Sequence, residues 1–464
     1  MEAAVMNYQV TNPATGKIES EYPTASDAEI AALLASAASG YASWKTTDMA
    51  HRAQIVGRVG QLHAERAGEL AAIITREMGK PTRQAKGEVL FTASIYKYYA
   101  DNAAELLKDQ PLHSKTPGTA VVRKTSIGPI LGIMPWNYPY YQVARFAAPN
   151  LMIGNTVVLK HAPQCPESAL AMEQIFREAG LPAGAYINVF ATNEQVATMV
   201  ADPRICGVSV TGSERAGSAV AAAAGQNLKK VVLELGGSDP FIVLDAPDIG
   251  AVAKAAVGAR MSNAGQACNA AKRMIVADSV YDDFMTEFVS LMAAQVTGDP
   301  TDPAITYGPL SSEQAAVNLM GQIDDAVNKG ATVHTGGHRL DRPGAFVEAT
   351  VLSGVTPEMR AFSEELFGPA AVVYRVKDAG EAVALANSSA FGLGGSVWTT
   401  DEALAAQLAD QLEVGMVWIN RTEGGGAELP FGGTKRSGVG RELGPLGIEE
   451  FVNKKLIHTK PADA

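Results

Sequence analysis

A chain of 464 residues, 47% hydrophobic and 19% charged, is longer than one hydrophobic core organises and apolar enough to fold throughout, which excludes a small binding module and a disordered protein. With 49 acidic against 38 basic residues the formal charge is −11, and without a basic cluster this argues against nucleic acid or an anionic membrane as partner. Three cysteines, Cys165, Cys206 and Cys268, are odd in number and scattered, so no disulfide framework and a reducing cytoplasm are expected.

Residues 1–10 carry Glu2 and no apolar run of a secretory signal, and no stretch reaches ~18 consecutive apolar residues, so neither export nor a membrane span is expected. The first third reads as helical. Ser26 and Glu29 have the spacing of a capping box, and residues 48–78 keep apolar side chains at helical intervals up to Gly79. At 119–125 the pattern changes to β-branched alternation. From Asn155 onward, strand-length apolar runs at 156–159, 186–190, 206–210 and 231–233 alternate with helical segments at 167–179, 193–201 and 213–224. This predicts right-handed βαβ units and a parallel sheet covered on both faces, a construction that binds ligands at the carboxyl ends of its strands. Gly236 and Gly237 read as a domain boundary with backbone freedom. Beyond them a strand at 241–244, a helix at 248–261, a strand at 273–276 and a helix at 281–294 predict a second α/β layer. The run 119–125 and the tail 450–457 lack an obvious local partner and are read as arms that pair with another subunit.

Three segments could carry chemistry. In Asn263-Ala-Gly-Gln-Ala-Cys268, Gly265 allows close backbone approach, and an exposed thiolate at Cys268 would be a nucleophile with its own N–H facing an oxyanion. Cys165, in a turn, and Cys206, at the start of a buried strand, read as inert. Glu234 ends an apolar strand, where burial would raise its pKa towards that of a general base; alone it could equally be a solvated strand end. Asn137, in Pro135-Trp136-Asn137-Tyr138-Pro139, has an amide able to donate to developing negative charge, although alone the segment is a proline-bounded turn. Gly438-Val-Gly440 is a decoy for a dinucleotide fingerprint, since no strand and helix flank it correctly, and no metal motif is present.

Together these segments, with Leu159-Lys160, Thr211-Gly212-Ser213 and Gly217, Glu364-Glu365-Leu366-Phe367-Gly368-Pro369, and Pro430-Phe431-Gly432-Gly433 leading to Lys435-Arg436-Ser437-Gly438, resemble the aldehyde dehydrogenase superfamily over nearly the whole chain. The short N-terminal region and the ending from Gly440 to Phe451 look most like the short bacterial succinate semialdehyde dehydrogenases. The resemblance implies an α/β fold with a parallel-sheet, Rossmann-type NAD(P)-binding domain (1–107 and 127–235), an α/β catalytic domain (236–436) and small β oligomerisation arms (108–126 and 437–464). It implies that Cys268 attacks an aldehyde, that Asn137 and the Cys268 N–H hold the oxyanion, and that Glu234 activates water against the resulting thioester.

By the same resemblance Lys160 contacts the adenosine ribose, Ser213 the pyrophosphate and Glu365 the nicotinamide ribose. Phe367 packs beside the ring, with Pro135, Trp136, Ala162, Pro163, Gly212, Gly217 and Leu235 around the cofactor. NAD-restricted members place a glutamate three positions after the lysine. Here that position is Pro163, so NADP as well as NAD is expected to be accepted, and NADP could be preferred.

Arg145, on a helix expected to open after Pro139 and on nearly the same face as Asn137, occupies the position where family members acting on succinate semialdehyde hold the distal carboxylate. It could instead pair with a surface acid. A second arginine used by some of those members is here Ser262, which could substitute by hydrogen bonding. The acids Glu423 and Glu428, in the variable substrate loop, do not suit an anionic substrate and either point outward or indicate another aldehyde. The expected reaction is therefore NAD(P)-dependent oxidation of succinate semialdehyde by a cytoplasmic homodimer or homotetramer. Glutarate semialdehyde or an aromatic or aliphatic aldehyde is the alternative substrate. A coenzyme A-acylating enzyme is disfavoured by Glu234, a thiol hydrolase by the lack of a histidine motif tied to Cys268, and a non-catalytic paralogue by the presence of Cys268, Glu234 and Asn137 together.

Overall fold

In the computed structural model, which describes residues 8–422 and 425–460, the apolar runs from Pro129 onward become neighbours in one six-stranded sheet. Its order is Gly438–Val439, Lys230–Glu234, Gly207–Thr211, Pro129–Met134, Thr156–His161 and Tyr186–Asn188, parallel throughout except for the first pair. Alternate side chains enter different cores: Ile130, Val157 and Leu159 pack with the helices Met49–Glu65, Thr82–Leu106 and Tyr141–Ile153, whereas Leu131 and Val158 pack with Ile30, Leu34 and Val220 on the other face. Burial on both faces is why these strands read as continuous apolar runs. The chain leaves Pro129–Met134 first towards Thr156–His161 and later returns to its other side with Gly207–Thr211. That reversal opens a crevice at the carboxyl end of Pro129–Met134, where residues 135–137 follow.

A seven-stranded sheet follows, in the order Thr332–Thr335, Thr350–Ser353, Ala370–Val376, Ala271–Ala277, Asp239–Val243, Gly394–Trp398 and Met416–Ile419, with only its first pair antiparallel. Phe241 and Val243 pack on one face and Ile242 on the other. Gly236 and Gly237 lie between the two sheets. Backbone freedom is not the reason for them, because neither has a positive φ. Room is the reason: a Cβ on Gly237 would sit 2.4 Å from the Cys268 carbonyl oxygen, and one on Gly236 2.5 Å from Glu365 Oε2.

Several expectations change. Residues 8–22, within the part read as helical, form a hairpin of Tyr8–Asn12 and Lys17–Tyr22. The helical run 48–78 is two helices, Met49–Glu65 and Ala67–Met78, because Arg66 leaves helical geometry (φ −103°, ψ 16°) while its guanidinium pairs with Glu178. Apolar periodicity carries no trace of a one-residue break. The capping box at Ser26 and Glu29 forms, and Gly79 ends its helix in the left-handed region at φ 78°. The two arms find each other: Val452–Thr459 pairs antiparallel with Thr119–Ser126, which also pairs with Gln110–Leu112. The stretch 437–451 is not part of an arm. Gly438–Val439 joins the first sheet, and Leu443, Ile448 and Phe451 enter the core on one face of it. Among the described residues no helix is long and apolar enough to cross a membrane.

Candidate active site

Cys268 follows a loop that the backbone does not adopt cheaply. Asn263 (φ 53°), Ala264 (φ 55°) and Gly265 (φ 74°) are consecutive left-handed residues, the first two without glycine's freedom. Surrounding polar groups hold them there. Asn263 N–H donates to Gln84 Oε1 (2.8 Å), Asn263 Nδ2 to the Asn137 carbonyl (2.9 Å), and Ser311 N–H to Gln266 Oε1 (2.9 Å). The buried Arg260 guanidinium donates to the carbonyls of Gly265 (2.6 Å) and Gly368 (2.6 Å). Lys272, also buried, donates to the carbonyls of Ala267 (2.8 Å) and Cys268 (2.6 Å) and pairs with Glu365 at 3.0 Å.

Asn137 is not on the helix that carries Arg145. That helix is Tyr141–Ile153, so the face-sharing argument for Asn137 and Arg145 does not apply. Gln142 Nε2 donates to Asn137 Oδ1 (2.9 Å), which fixes the amide's orientation, and Asn137 Nδ2 donates to the Gln266 carbonyl (3.0 Å). No acceptor for the second amide hydrogen is found among the described residues. The Asn137 carbonyl accepts from Lys80 Nζ (2.8 Å), and Lys80 pairs with Glu88, which also accepts from the Tyr140 N–H (3.0 Å).

A cavity of about 280 Å³ brings Cys268, Arg145 and Ser262 together with Tyr138, Tyr141 and Phe431. No histidine is among its lining residues. Arg145 pairs with Glu442 (Nε to Oε2, 2.7 Å), but that acid is buried rather than on the surface. Its guanidinium lies between the rings of Phe431 (4.3 Å) and Tyr141 (4.9 Å), and its two Nη atoms make long contacts to Tyr141 Oη (3.5 Å) and Thr211 Oγ1 (3.4 Å). Glu428 is exposed and absent from the cavity lining, while Glu423 lies outside the described residues.

Glu234 ends its strand 1% exposed, and neither carboxylate oxygen finds a hydrogen-bond partner among the described residues. Burial, reinforced by Glu442 and opposed by Arg145, holds its carboxyl well above the usual carboxylate range. A Cβ on Gly432 would lie 2.6 Å from Glu234 Oε1, so the residue after Phe431 must be glycine for the carboxylate to sit there. Burial also pushes the Cys268 thiol up to about 12; Arg145 and then Lys272 pull it down, whereas Glu365 and Glu234 push it further. Asn137 and Glu234 do not line the cavity with Cys268.

The residues expected around a cofactor gather at the carboxyl edge of the first sheet. Lys160 is the penultimate residue of its strand and Ala162 and Pro163 follow that strand; Gly212 and Ser213 follow Gly207–Thr211; Leu235 follows Lys230–Glu234 and packs on Gly217, whose Cβ would lie 2.5 Å from it. Ser213 caps the helix Glu214–Gln226. Pro135 and Trp136 follow the central strand, and the Trp136 ring meets Phe367 edge-on at 5.6 Å. Glu365 Oε1 accepts from Gly237 N–H at 3.2 Å. Lys160 is 6% exposed, and no carboxylate of the described residues pairs with it; burial lowers its pKa to about 8.

Lys80, Arg260, Lys272 and Glu442 were not identified from the sequence as site residues. A lone basic residue gives no sign in sequence that it will be buried, and Glu442 appears there only as one letter of a family ending.

The model for the aldehyde dehydrogenase family matches residues 1–457. A protein of Deinococcus radiodurans named succinate-semialdehyde dehydrogenase, NADP(+), is 53% identical over 98% of this chain and 95% of its own length. One of the same name from Mycobacterium avium is 44% identical over 96% and 95%. The crystal structure of succinic semialdehyde dehydrogenase from Streptococcus pyogenes in complex with NADP+ superposes with a TM-score of 0.95 at 41% identity, covering 98% of this chain and 100% of that one.

Proposed function

The chain belongs to the aldehyde dehydrogenase family, and from that premise we propose that it oxidises succinate semialdehyde to succinate with NADP as hydride acceptor. The observation that carries the substrate is Arg145 in the wall of the cavity that holds Cys268. Glu442 takes the Nε side of the guanidinium, and the Nη pair, with contacts at 3.4 and 3.5 Å, is left to grip a carboxylate bidentately. The names of the relatives support both substrate and cofactor.

The residues fit NADP. Lys160 is a buried amine without a carboxylate partner among the described residues, Pro163 brings no negative charge where a 2′-phosphate would be repelled, and Ser213 sits at a helix N-terminus that favours phosphate. A Cβ on Gly212 would meet nothing within 4 Å, which is the room a close ligand needs. When bound, the cofactor supplies the hydride acceptor. The protein's part begins with the Cys268 thiolate attacking the aldehyde carbon, while Asn137 Nδ2 and the Cys268 N–H receive the oxyanion. After hydride departure the acyl group rests on Sγ as a thioester. Glu234 takes a proton from the water that attacks it, and Sγ leaves as thiolate.

We further assign cofactor binding to the body built on the six-stranded sheet and nucleophile chemistry to the body built on the seven-stranded sheet. The three-stranded sheet is assigned to joining copies into a dimer or tetramer, and three free thiols suit a reducing cytoplasm. The substrate assignment is tested by Arg145→Ala. A lost charge-assisted pair is worth about 1.5–3 kcal/mol, so KM for succinate semialdehyde should rise roughly 10- to 100-fold while KM for butanal changes little. Equal rises for both aldehydes would remove Arg145 as the carboxylate anchor.

A further inference from the structure

Three buried cations, Lys80, Arg260 and Lys272, surround the nucleophile loop and take no step in the proposed reaction. Lys80 and Arg260 hold loops in place. Lys272 touches two parts of the site with separate tasks. We propose that Lys272 is a positioning residue that ties the carboxylate of Glu365 to the backbone of Cys268, so that the cofactor pocket and the nucleophile are set by one ammonium group. This rests on the reading of Glu365 as a cofactor ligand and of Cys268 as the nucleophile.

An ammonium has three N–H donors, and here all three are spent: on the Ala267 carbonyl (2.8 Å), the Cys268 carbonyl (2.6 Å) and Glu365 Oε1 (3.0 Å). Lys272 belongs to the strand Ala271–Ala277, which is held between Asp239–Val243 and Ala370–Val376, so its stem starts from a rigid base. The backbone after Glu234 presses on the same two partners. Gly237 N–H donates to Glu365 Oε1 (3.2 Å), and the Cβ atoms that Gly236 and Gly237 lack would strike Glu365 Oε2 at 2.5 Å and the Cys268 carbonyl at 2.4 Å. Glu365 therefore cannot shift without releasing a donor that orients the Cys268 peptide. Loss of Lys272 would also leave Glu365 facing the nucleophile with its charge unbalanced.

The groups that set the Cys268 charge are Arg145 from the helix Tyr141–Ile153 and Lys272 from its own strand, which favour the thiolate, and Glu365 and Glu234, which oppose it. The test is the pH profile of Cys268 alkylation by iodoacetamide in the full-length, cofactor-free protein, with Cys268→Ala as the blank, together with calorimetric titration of NADP. K272M should raise the alkylation midpoint by about one pH unit or more, E365Q should lower it, and K272R should return it towards wild type because the charge is kept. K272M and E365Q should each weaken NADP binding by roughly tenfold, and the double variant should be no weaker than either, because each acts through the other. An unmoved midpoint in K272M, or effects on NADP affinity that simply add, would overturn the proposal. Should K272M not fold, K272R and E365Q carry the test: the midpoint must fall in E365Q and stay near wild type in K272R, and any other pattern overturns the link. Alkylation needs neither aldehyde nor cofactor, so its outcome is independent of the substrate assignment.

Discussion

Glu234, the proposed base, shows how surroundings shift a carboxyl. Its carboxylate lacks a hydrogen-bond partner among the described residues, and burial with Glu442 nearby favours the protonated form more than Arg145 opposes it. Turnover should therefore rise with pH as this carboxyl, held above the usual carboxylate range, loses its proton. E234Q should release about one equivalent of reduced cofactor per subunit in a rapid burst and then stall at the thioester, because acylation needs no base at this position. A stability consequence follows from the same shift. A carboxyl whose folded-state pKa lies above its unfolded value contributes fully only below the unfolded value and loses that contribution as pH rises through the folded one. E234Q should accordingly raise Tm at alkaline pH and leave it nearly unchanged at acid pH. Cys268, Glu234 and Asn137 were singled out in the sequence because each sits in a short local motif. Lys272, Arg260 and Lys80 were not, because burial of a cation is decided by distant segments such as 364–368 for Lys272 and Arg260.

At the scale of elements, the loop before Cys268 concentrates left-handed backbone at Asn263, Ala264 and Gly265. Gly265 is at φ 74°, and a Cβ there would sit 2.3 Å from both Arg260 Nη2 and the Gly368 carbonyl oxygen. Gly265→Ala should cost at least about 2 kcal/mol, from the left-handed backbone and the displaced arginine together, read as a lowered urea midpoint with a larger loss of kcat than of KM. The parallel strands were visible from their apolar runs, and the carboxyl ends that carry the site followed from topology. The hairpin at 8–22 and the break at Arg66 were not visible. A short exposed hairpin has weak alternation, and a helix break that depends on a partner such as Glu178 leaves no mark in local periodicity.

The whole molecule places two sheet-centred bodies against each other, with a small three-stranded sheet standing on them. The arms were legible as strands but not as each other's partners, since strands so far apart in sequence give no sign of who pairs with whom. Val452–Thr459 is an edge of that sheet, and Leu456 on it is 63% exposed beside Lys454 and Lys455. Leu456→Glu should shift the sedimenting species towards the monomer if this edge joins copies; an unchanged assembly would place the interface elsewhere. Against a formal charge of −11, the two cations proposed to meet the cofactor and the substrate, Lys160 and Arg145, are both buried.

The central claim is that this Cys268 enzyme reads a distal carboxylate and a 2′-phosphate. Initial rates followed by reduced-nicotinamide absorbance, with succinate semialdehyde and butanal each paired with NADP and with NAD, test it directly. The account predicts the highest kcat/KM for succinate semialdehyde with NADP and no oxidation of either aldehyde by Cys268→Ala; butanal as the better substrate, or NAD as the strongly preferred acceptor, would contradict it.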